Sequence, residues 1–228
     1  MNKKTSIIKK YWQDTPQYFS EKYESNFIQM LSPVNMFLAA RRKKAHELAG
    51  NIKGKKILDA GCGSGIFMID FIKKGAFVVG IDYSQKMLDL ARKELTAHKI
   101  PKNKYVLKLA DATSLPFKDN EFDLILATGL TDYLTDQQDE KFVEEASRVL
   151  KKNGSLIISF SVKNSPFSFA RSGLGLKIRQ RIFKLPPIQN EFTLEKLRIF
   201  LQKYGLADKK HHKIFATMWL VLAQFNKK

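Results

Sequence analysis

Three glycines at alternate positions, Gly61, Gly63 and Gly65, follow an apolar run that ends in an acid, Ile57-Leu58-Asp59-Ala60. After them comes Ile66-Phe67-Met68-Ile69-Asp70-Phe71-Ile72, which reads as a helix packed on its apolar side. The unit is therefore strand, glycine loop, helix. Glycine lets a backbone turn sharply and approach a ligand with no Cβ in the way. The helix start presents N–H groups and a positive dipole end. That geometry cradles a nucleotide-like ligand. A phosphate loop would need Lys and then Ser or Thr after the last glycine, where Ile66 stands. A dinucleotide fingerprint would need a glycine at position 66 itself. Asp59 would repel a pyrophosphate and suits a cationic ligand.

The rest of the chain alternates strands and helices. Lys56 to Ala60 reads as the first strand, and Ala76 to Asp82 as the second, an apolar run of the kind expected for a parallel strand buried on both faces. Ser84 is the candidate cap for a helix from Gln85 to His98. Tyr105 to Leu109 is a third strand and Leu124 to Ala127 a fourth. Asp123 opens the fourth at the edge away from the ligand and reads as structural. Thr135 or Asp136 starts a helix running to Leu150, with Lys151-Lys152-Asn153-Gly154 closing it, and Ser155 to Ser161 is a fifth strand. Thr193 caps a helix that Gly205 ends, and two strands close the chain, near Asp208–Ile214 and Phe215–Phe225. At the amino end, Ser32-Pro33 starts a helix that Gly50 or Gly54 stops.

Asp59-Ala60-Gly61-Cys62-Gly63-Ser64-Gly65 resembles the first motif of class I S-adenosylmethionine-dependent methyltransferases. Leu115-Pro116-Phe117 with Asp119, Phe122 and Asp123 resembles a stretch of the small-molecule branch of that family. Phe192-Thr193-Leu194-Glu195 resembles the start of its last helix. The resemblance covers roughly residues 50–225. It implies an α/β fold, a Rossmann-like doubly wound seven-stranded sheet of order 3-2-1-4-5-7-6 with the last strand antiparallel and helices on both faces. It implies S-adenosyl-L-methionine as cofactor and S-adenosyl-L-homocysteine as product. Asp59, Gly61, Cys62, Gly63 and Gly65 then form the cofactor loop. Asp82 would accept the ribose hydroxyls, with Tyr83 beside it. Met87 would lie under the adenine, Asp111 and Ala112 would meet its amino group, and Thr128 would offer its carbonyl to the cofactor's ammonium.

Methyl transfer from a sulfonium is an in-line displacement that needs chiefly an aligned acceptor and excluded water. A general base helps for a hydroxyl or ammonium acceptor. Tyr133 is the candidate, and no base is assigned beyond it. His46, His98, His211 and His212 read as structural or surface residues. Amino-base methylation in this superfamily uses an Asn/Asp-Pro-Pro-Tyr loop after the fourth strand, and here that loop is Ala127-Thr128-Gly129-Leu130. Cytosine C5 methylation needs a cysteine nucleophile, and the single cysteine, Cys62, lies in the glycine loop. Metal-dependent O-methylation needs clustered acids near the acceptor, and Asp132 alone makes no cluster, so no metal site is expected.

The chain reads as one methyltransferase domain of 228 residues: an N-terminal helical cap over 1–50, a cofactor-binding core over 51–162, a basic lid over 163–188, and a C-terminal helix and strands over 189–228. The net charge of +18 lies outside the core: residues 57–162 carry 14 Lys+Arg against 15 Asp+Glu, whereas residues 163–228 carry 14 against 3. Arg179 and Arg181 in the lid, with Asp132, Tyr133 and Tyr23, are the candidate acceptor contacts. These point to a small-molecule or lipid-linked acceptor of anionic character, with peripheral contact at an anionic membrane as an option. The alternative is a nucleic-acid (RNA)-directed methyltransferase or binding protein that uses the basic flanks on phosphates. A cofactor-binding protein without catalysis is a third reading. One cysteine and no apolar run of membrane-spanning length fit a cytoplasmic location.

Overall fold

The computed structural model of the protein describes residues 33–162, 192–214 and 218–225. Tyr23, Arg179 and Arg181, and with them most of the proposed cap and lid, lie outside the described residues. Seven strands are hydrogen-bonded in the order β3-β2-β1-β4-β5-β7-β6. They are β1 (Lys56–Ala60), β2 (Phe77–Asp82), β3 (Tyr105–Leu109), β4 (Phe122–Ala127), β5 (Leu150–Ser161), β6 (Leu206–Ile214) and β7 (Met218–Phe225). β1 pairs in parallel with β2 and β4, and β7 runs antiparallel between β5 and β6. Among the described residues the α-helices are α1 (Pro33–Ala49), α2 (Ile66–Lys73), α3 (Gln85–Ala97), α4 (Asp136–Val149) and α5 (Leu194–Lys203).

The doubly wound α/β architecture follows from how the strands divide their side chains. Successive residues of a strand face opposite sides of a sheet. Leu58, Val79, Ile125, Ile158 and their neighbours pack with Phe142 and Ala146 of α4 and Leu197 and Leu201 of α5. Ile57, Val78, Leu124 and Ile157, one residue earlier in each strand, pack with Ala45 and Leu48 of α1, Phe67, Met68 and Phe71 of α2, and Leu88 and Leu95 of α3. Two cores therefore lie on the two faces. Each large side chain buried there, such as Phe71 or Phe142, contributes about 1.5–3 kcal/mol.

Local chemistry sets most helix starts. Ser84 accepts from Met87 N at the start of α3. Thr135 and Gln138 form a capping box at α4, and Thr193 accepts from Lys196 N at α5. The end of α4 differs from the expectation. It stops at Val149, and Leu150 is extended. Residues Lys151 to Gly154 do not close the helix but belong to β5. Leu150 pairs with Phe122, the register then shifts, and Ser155 pairs with Leu124. Burial of Leu150 against its partner strand outweighs the local signals of Lys, Asn and Gly as helix terminators. Asp123 accepts from Lys56 N and Lys151 Nζ, both at 2.8 Å, and ties β1, β4 and β5 together.

One ionic cluster fastens α1 to α2. Asp70 accepts from Arg42 Nε at 2.5 Å and lies 2.7 Å from His46 Nε2. Burial opposes ionisation of Asp70, but the hydrogen bonds from His46 and Arg42 outweigh it and hold the carboxyl down at about 2. Its contribution to stability is therefore present above the ordinary carboxylate range and lost as pH falls toward about 2. Asp70→Asn should loosen α1, with its amide hydrogens exchanging about tenfold faster or more. Unchanged exchange in α1 would show that apolar packing alone holds it.

Candidate active site

The carboxyl ends of β1, β2, β3 and β4 lie side by side, where open parallel sheets bind ligands. The glycine loop leaves β1 and is drawn across to β2. Gly61 N and Cys62 N both donate to Ile81 O at 2.9 Å, and Gly63 N donates to Asp82 Oδ2 at 3.1 Å. Gly65 enters α2 at φ 81°, and no side chain caps that helix, so its first N–H groups are oriented toward the cleft end of the sheet. A Cβ added to Gly63 would meet nothing within 4 Å, and Gly63 has φ +52°. The backbone there faces open space.

Two buried acids flank this space. Asp59 stands one residue before the end of β1, is 2% exposed, and its Oδ2 has no hydrogen-bond partner among the described residues. Burial, and then the nearby Asp82 charge, push its carboxyl up to about 7, while Arg41 acts in the other direction. Asp82 closes β2. Burial raises it to about 6, against the backbone N–H groups of Ser84, Gly63 and Tyr83, which stabilise its charge. Asp82, held by three donors, is the more acidic of the two. A carboxylate has about four acceptor directions, so Asp82 keeps capacity for a further donor.

Ala110 N donates to Asp82 O at 3.1 Å, which places the loop after β3 beside the end of β2. There Asp111 is exposed, and its Oδ1 accepts from Thr113 N at 2.9 Å and Thr113 Oγ1 at 2.8 Å, a local turn. Ala112 and Met87 are buried. Cys62 is buried too, its sulfur against Gly80. Burial, then Asp59 and Asp82, push its thiol above its ordinary range, so it is no nucleophile at neutral pH. Burial, then Asp82 and Tyr133, push the Tyr83 phenol upward, which keeps it a proton donor and places Tyr133 in its neighbourhood.

The loop after β4 carries Thr128, Gly129, Leu130 and the short turn Thr131–Tyr133. Gly129 N donates to Ser159 Oγ at 2.7 Å, Thr131 Oγ1 donates to Ser159 O, and Ser161 Oγ donates to Asp132 Oδ1 at 2.8 Å. Asp132 is 7% exposed. Its carboxylate thus ties the loop to β5, whereas Thr128 and Tyr133 are half-buried at the cleft edge. Sequence alone points to Asp132 as an acceptor contact and singles out neither Ser159 and Ser161, which anchor this loop, nor Arg41. A Cβ on Gly129 would lie 2.9 Å from Arg41 Nη1, so the guanidinium of α1 reaches the same edge. The signal available was the Arg41-Arg42 pair, whose partners are nonlocal.

Residues 58–158 match the family described as a methyltransferase domain. Over those residues the chain resembles the class I S-adenosylmethionine-dependent methyltransferases in its glycine loop and its sheet order. The methyltransferase domain is similar to the ubiquinone biosynthesis O-methyltransferase of Pelagibacter ubique (strain HTCC1062), at 35% identity over 108 residues, 47% of this chain and 42% of that protein. It is similar also to the demethylmenaquinone methyltransferase of Clavibacter sepedonicus, at 31% identity over 56% of this chain and 49% of that protein. The chain thus spans about half the length of these curated relatives. In fold it resembles crystalline magnesium protoporphyrin IX methyltransferase from Synechocystis PCC 6803 with bound SAH, at TM-score 0.74 and 19% identity, over 97% of this chain and 99% of that one.

The residues present fit S-adenosylmethionine. The ligand brings an ammonium to a site that holds a buried carboxylate oxygen without a partner, Asp59 Oδ2. It also needs a glycine loop open to a ligand, and Gly63 supplies it. An ammonium must meet Asp59 ionised. Affinity for S-adenosylhomocysteine is therefore expected to rise with pH, by up to about tenfold per unit, and to level off above about 7. The ligand-free protein should behave oppositely. The raised carboxyl favours the protonated native state, so its stability contribution is full below the ordinary range and lost as pH rises through about 7. Calorimetry across pH, with proton release counted from buffers of different ionisation enthalpy, checks both signs. A pH-independent affinity would remove Asp59 from the binding role.

Proposed function

We propose that the protein transfers a methyl group from S-adenosylmethionine to a small organic acceptor bound over the loop 128–134. The observation that carries this reading is the pairing of an open glycine loop with the buried Asp59 Oδ2, which accepts no hydrogen bond among the described residues. When bound, the cofactor supplies an electrophilic methyl group on a sulfonium. The chain's own groups do the positioning. Gly61, Gly63 and Gly65 leave room for the ligand, Asp82 takes its ribose hydroxyls, and Thr128, Asp111 and Met87 line its remaining edges. Tyr133, on a loop pinned to β5, is the candidate group that meets the acceptor; as phenolate it would take the acceptor's own proton, directly or through water. Alignment and exclusion of water account for most of the catalysis needed.

Relatives named for ubiquinone and menaquinone synthesis, and a fold neighbour named for a porphyrin, support an organic small-molecule acceptor. The basic excess of residues 1–56 and 163–228 supports an anionic acceptor, free or lipid-linked. The test is incubation with methyl-labelled cofactor and a fractionated cell extract. Label in the polar-metabolite or lipid fraction supports the reading. Label confined to RNA would replace it with the nucleic-acid-directed alternative, and no label beyond background would leave a cofactor-binding protein.

A further inference from the structure

We propose that the amino-terminal edge of the sheet, opposite the glycine loop, is a nucleic-acid-binding surface: a row of lysines that holds the phosphate backbone of a single strand as a tether, not as the methyl acceptor. By count the core is nearly neutral, with 14 Lys+Arg against 15 Asp+Glu over residues 57–162. The topology separates those charges. Asp59, Asp82, Asp111 and Asp132 stand at or near the carboxyl ends of β1, β2, β3 and β4. Lysines gather where the strands begin. Lys102 and Lys104 lead into β3, Lys118 leads into β4, and Lys152 lies where β5 runs beside the start of β4. Lys53 and Lys55, just before the core, lead into β1. Gly54 N donates to Gly75 O and Phe77 N to Lys55 O, both at 2.9 Å, which sets these two beside the start of β2. Five of the six lysines are exposed, and Lys55 is half-buried. None of the six forms an ion pair with a described residue. Three acids beside them, Asp119, Glu121 and Asp123, are already bound to Arg148, Lys56 and Lys151.

Neighbouring strands lie about 4.8 Å apart, so the row from β3 through β2, β1 and β4 to β5 is about 19 Å long. A nucleic-acid strand carries a charge about every 3.4 Å, and that length faces roughly five phosphates. Lysine suits this task, because its ammonium is a compact charge on a flexible stem and binds phosphate as a point charge. Beside the row, Leu115, Pro116 and Phe117 form the apolar wall of an open groove of about 700 Å³, lined also by Lys56, Lys118 and Glu121. An aromatic-walled groove beside a phosphate-binding row accommodates a base; neither an acidic protein surface nor a layer of lipid headgroups needs one. The competing reading is that these lysines only complement helix dipoles. It accounts for Lys73 in the last turn of α2. It does not account for the six, which lead into strands, where the net dipole is small.

The test is a fluorescence-anisotropy titration of the full chain with a labelled, random-sequence single-stranded RNA over a range of salt. The parent is expected to bind with a slope of log affinity against log salt of about −3 to −4, at about −0.7 per phosphate. Lys53→Gln/Lys55→Gln/Lys118→Gln should make the slope shallower by about 2 and weaken binding about tenfold or more, with the affinity for S-adenosylhomocysteine as in the parent. Lys102→Gln/Lys104→Gln, at the other end of the row, should act in the same direction and serves if the triple variant does not fold. Saturating RNA should leave S-adenosylhomocysteine binding unchanged, and the bound RNA should take no label from methyl-labelled cofactor. No RNA binding by the parent overturns the proposal. So does an unchanged slope in the variants, which would place the RNA on cations elsewhere in the chain. Competition between RNA and S-adenosylhomocysteine, or methyl label in the RNA, would put the strand in the cleft and overturn it too. Lysine-dependent binding to phosphatidylserine vesicles without binding to RNA would make the edge a membrane contact instead.

Discussion

Gly63→Val is expected to abolish cofactor binding while the protein still folds. An added Cβ meets no protein atom within 4 Å, so nothing in the structure resists the side chain itself. The cost to stability is backbone strain, because a β-branched residue must hold φ +52°, which amounts to about 1–2 kcal/mol. That lowers the melting temperature by roughly 2–8 °C for a chain of this size. The valine side chain would instead stand in the space that the ligand needs. Gly63 N also donates to Asp82, so displacing the loop would disturb the ribose acceptor as well. Affinity for S-adenosylhomocysteine should fall by about two orders of magnitude or more, since steric exclusion leaves no partial fit. Calorimetry on a variant with native near-ultraviolet circular dichroism checks it. Undiminished binding by a folded Gly63→Val protein would falsify the cleft assignment.

Gly80→Ala should have the opposite profile, a large loss of stability whose binding defect is secondary. Gly80 sits in β2, paired with Asp59 on one side and Leu107 on the other. A Cβ there would lie 2.4 Å from Met68 Sδ, 2.9 Å from Met68 Cε and 3.0 Å from Cys62 Sγ. Met68 is fully buried, so its thioether cannot swing into solvent, and Cys62 belongs to the glycine loop. Overpacking of this kind costs about 1–3 kcal/mol, to which displacement of the loop adds. Chemical denaturation should show a lower midpoint with an unchanged slope. Met68→Ala in the same chain should recover part of the loss by vacating the space, though it leaves a cavity elsewhere. A Gly80→Ala protein as stable as the parent would mean that α2 shifts freely on the sheet.

The contrast between these two glycines marks the limit of sequence reasoning here. Gly63 was legible because its role follows from spacing to Gly61, Gly65 and Asp59, all within one turn of chain. Gly80 looks like any residue of an apolar run. Its necessity comes from Met68 and Cys62, which are brought to it by the packing of α2. The same division holds for helix ends. Ser84, Thr135 and Thr193 cap their helices by accepting from donors three residues on, so local pattern reveals them. Local pattern fails at the end of α4, because Lys151 to Gly154 carries good local stop signals while the deciding contact, Leu150 with Phe122, spans distant sequence.

The candidate site divides in the same way. Asp59, Gly61, Gly63, Gly65 and Asp82 stand at strand ends that the alternation of apolar runs locates, and parallel pairing of β1 with β2 brings them together. By itself, the amino-acid sequence determined the strand–loop–helix unit, its preference for a cationic ligand over a pyrophosphate, and the acids at the strand ends, because these depend on residue type and short spacing. Tertiary structure alone decided that Asp132 is tied to Ser161, that Ser159 holds Gly129, that Asp70 fastens α1, and that Arg41 reaches Gly129 in the loop after β4. Each of these is a contact between groups far apart in the chain, and its energy comes from burial and charge at a place that exists only once the sheet has formed.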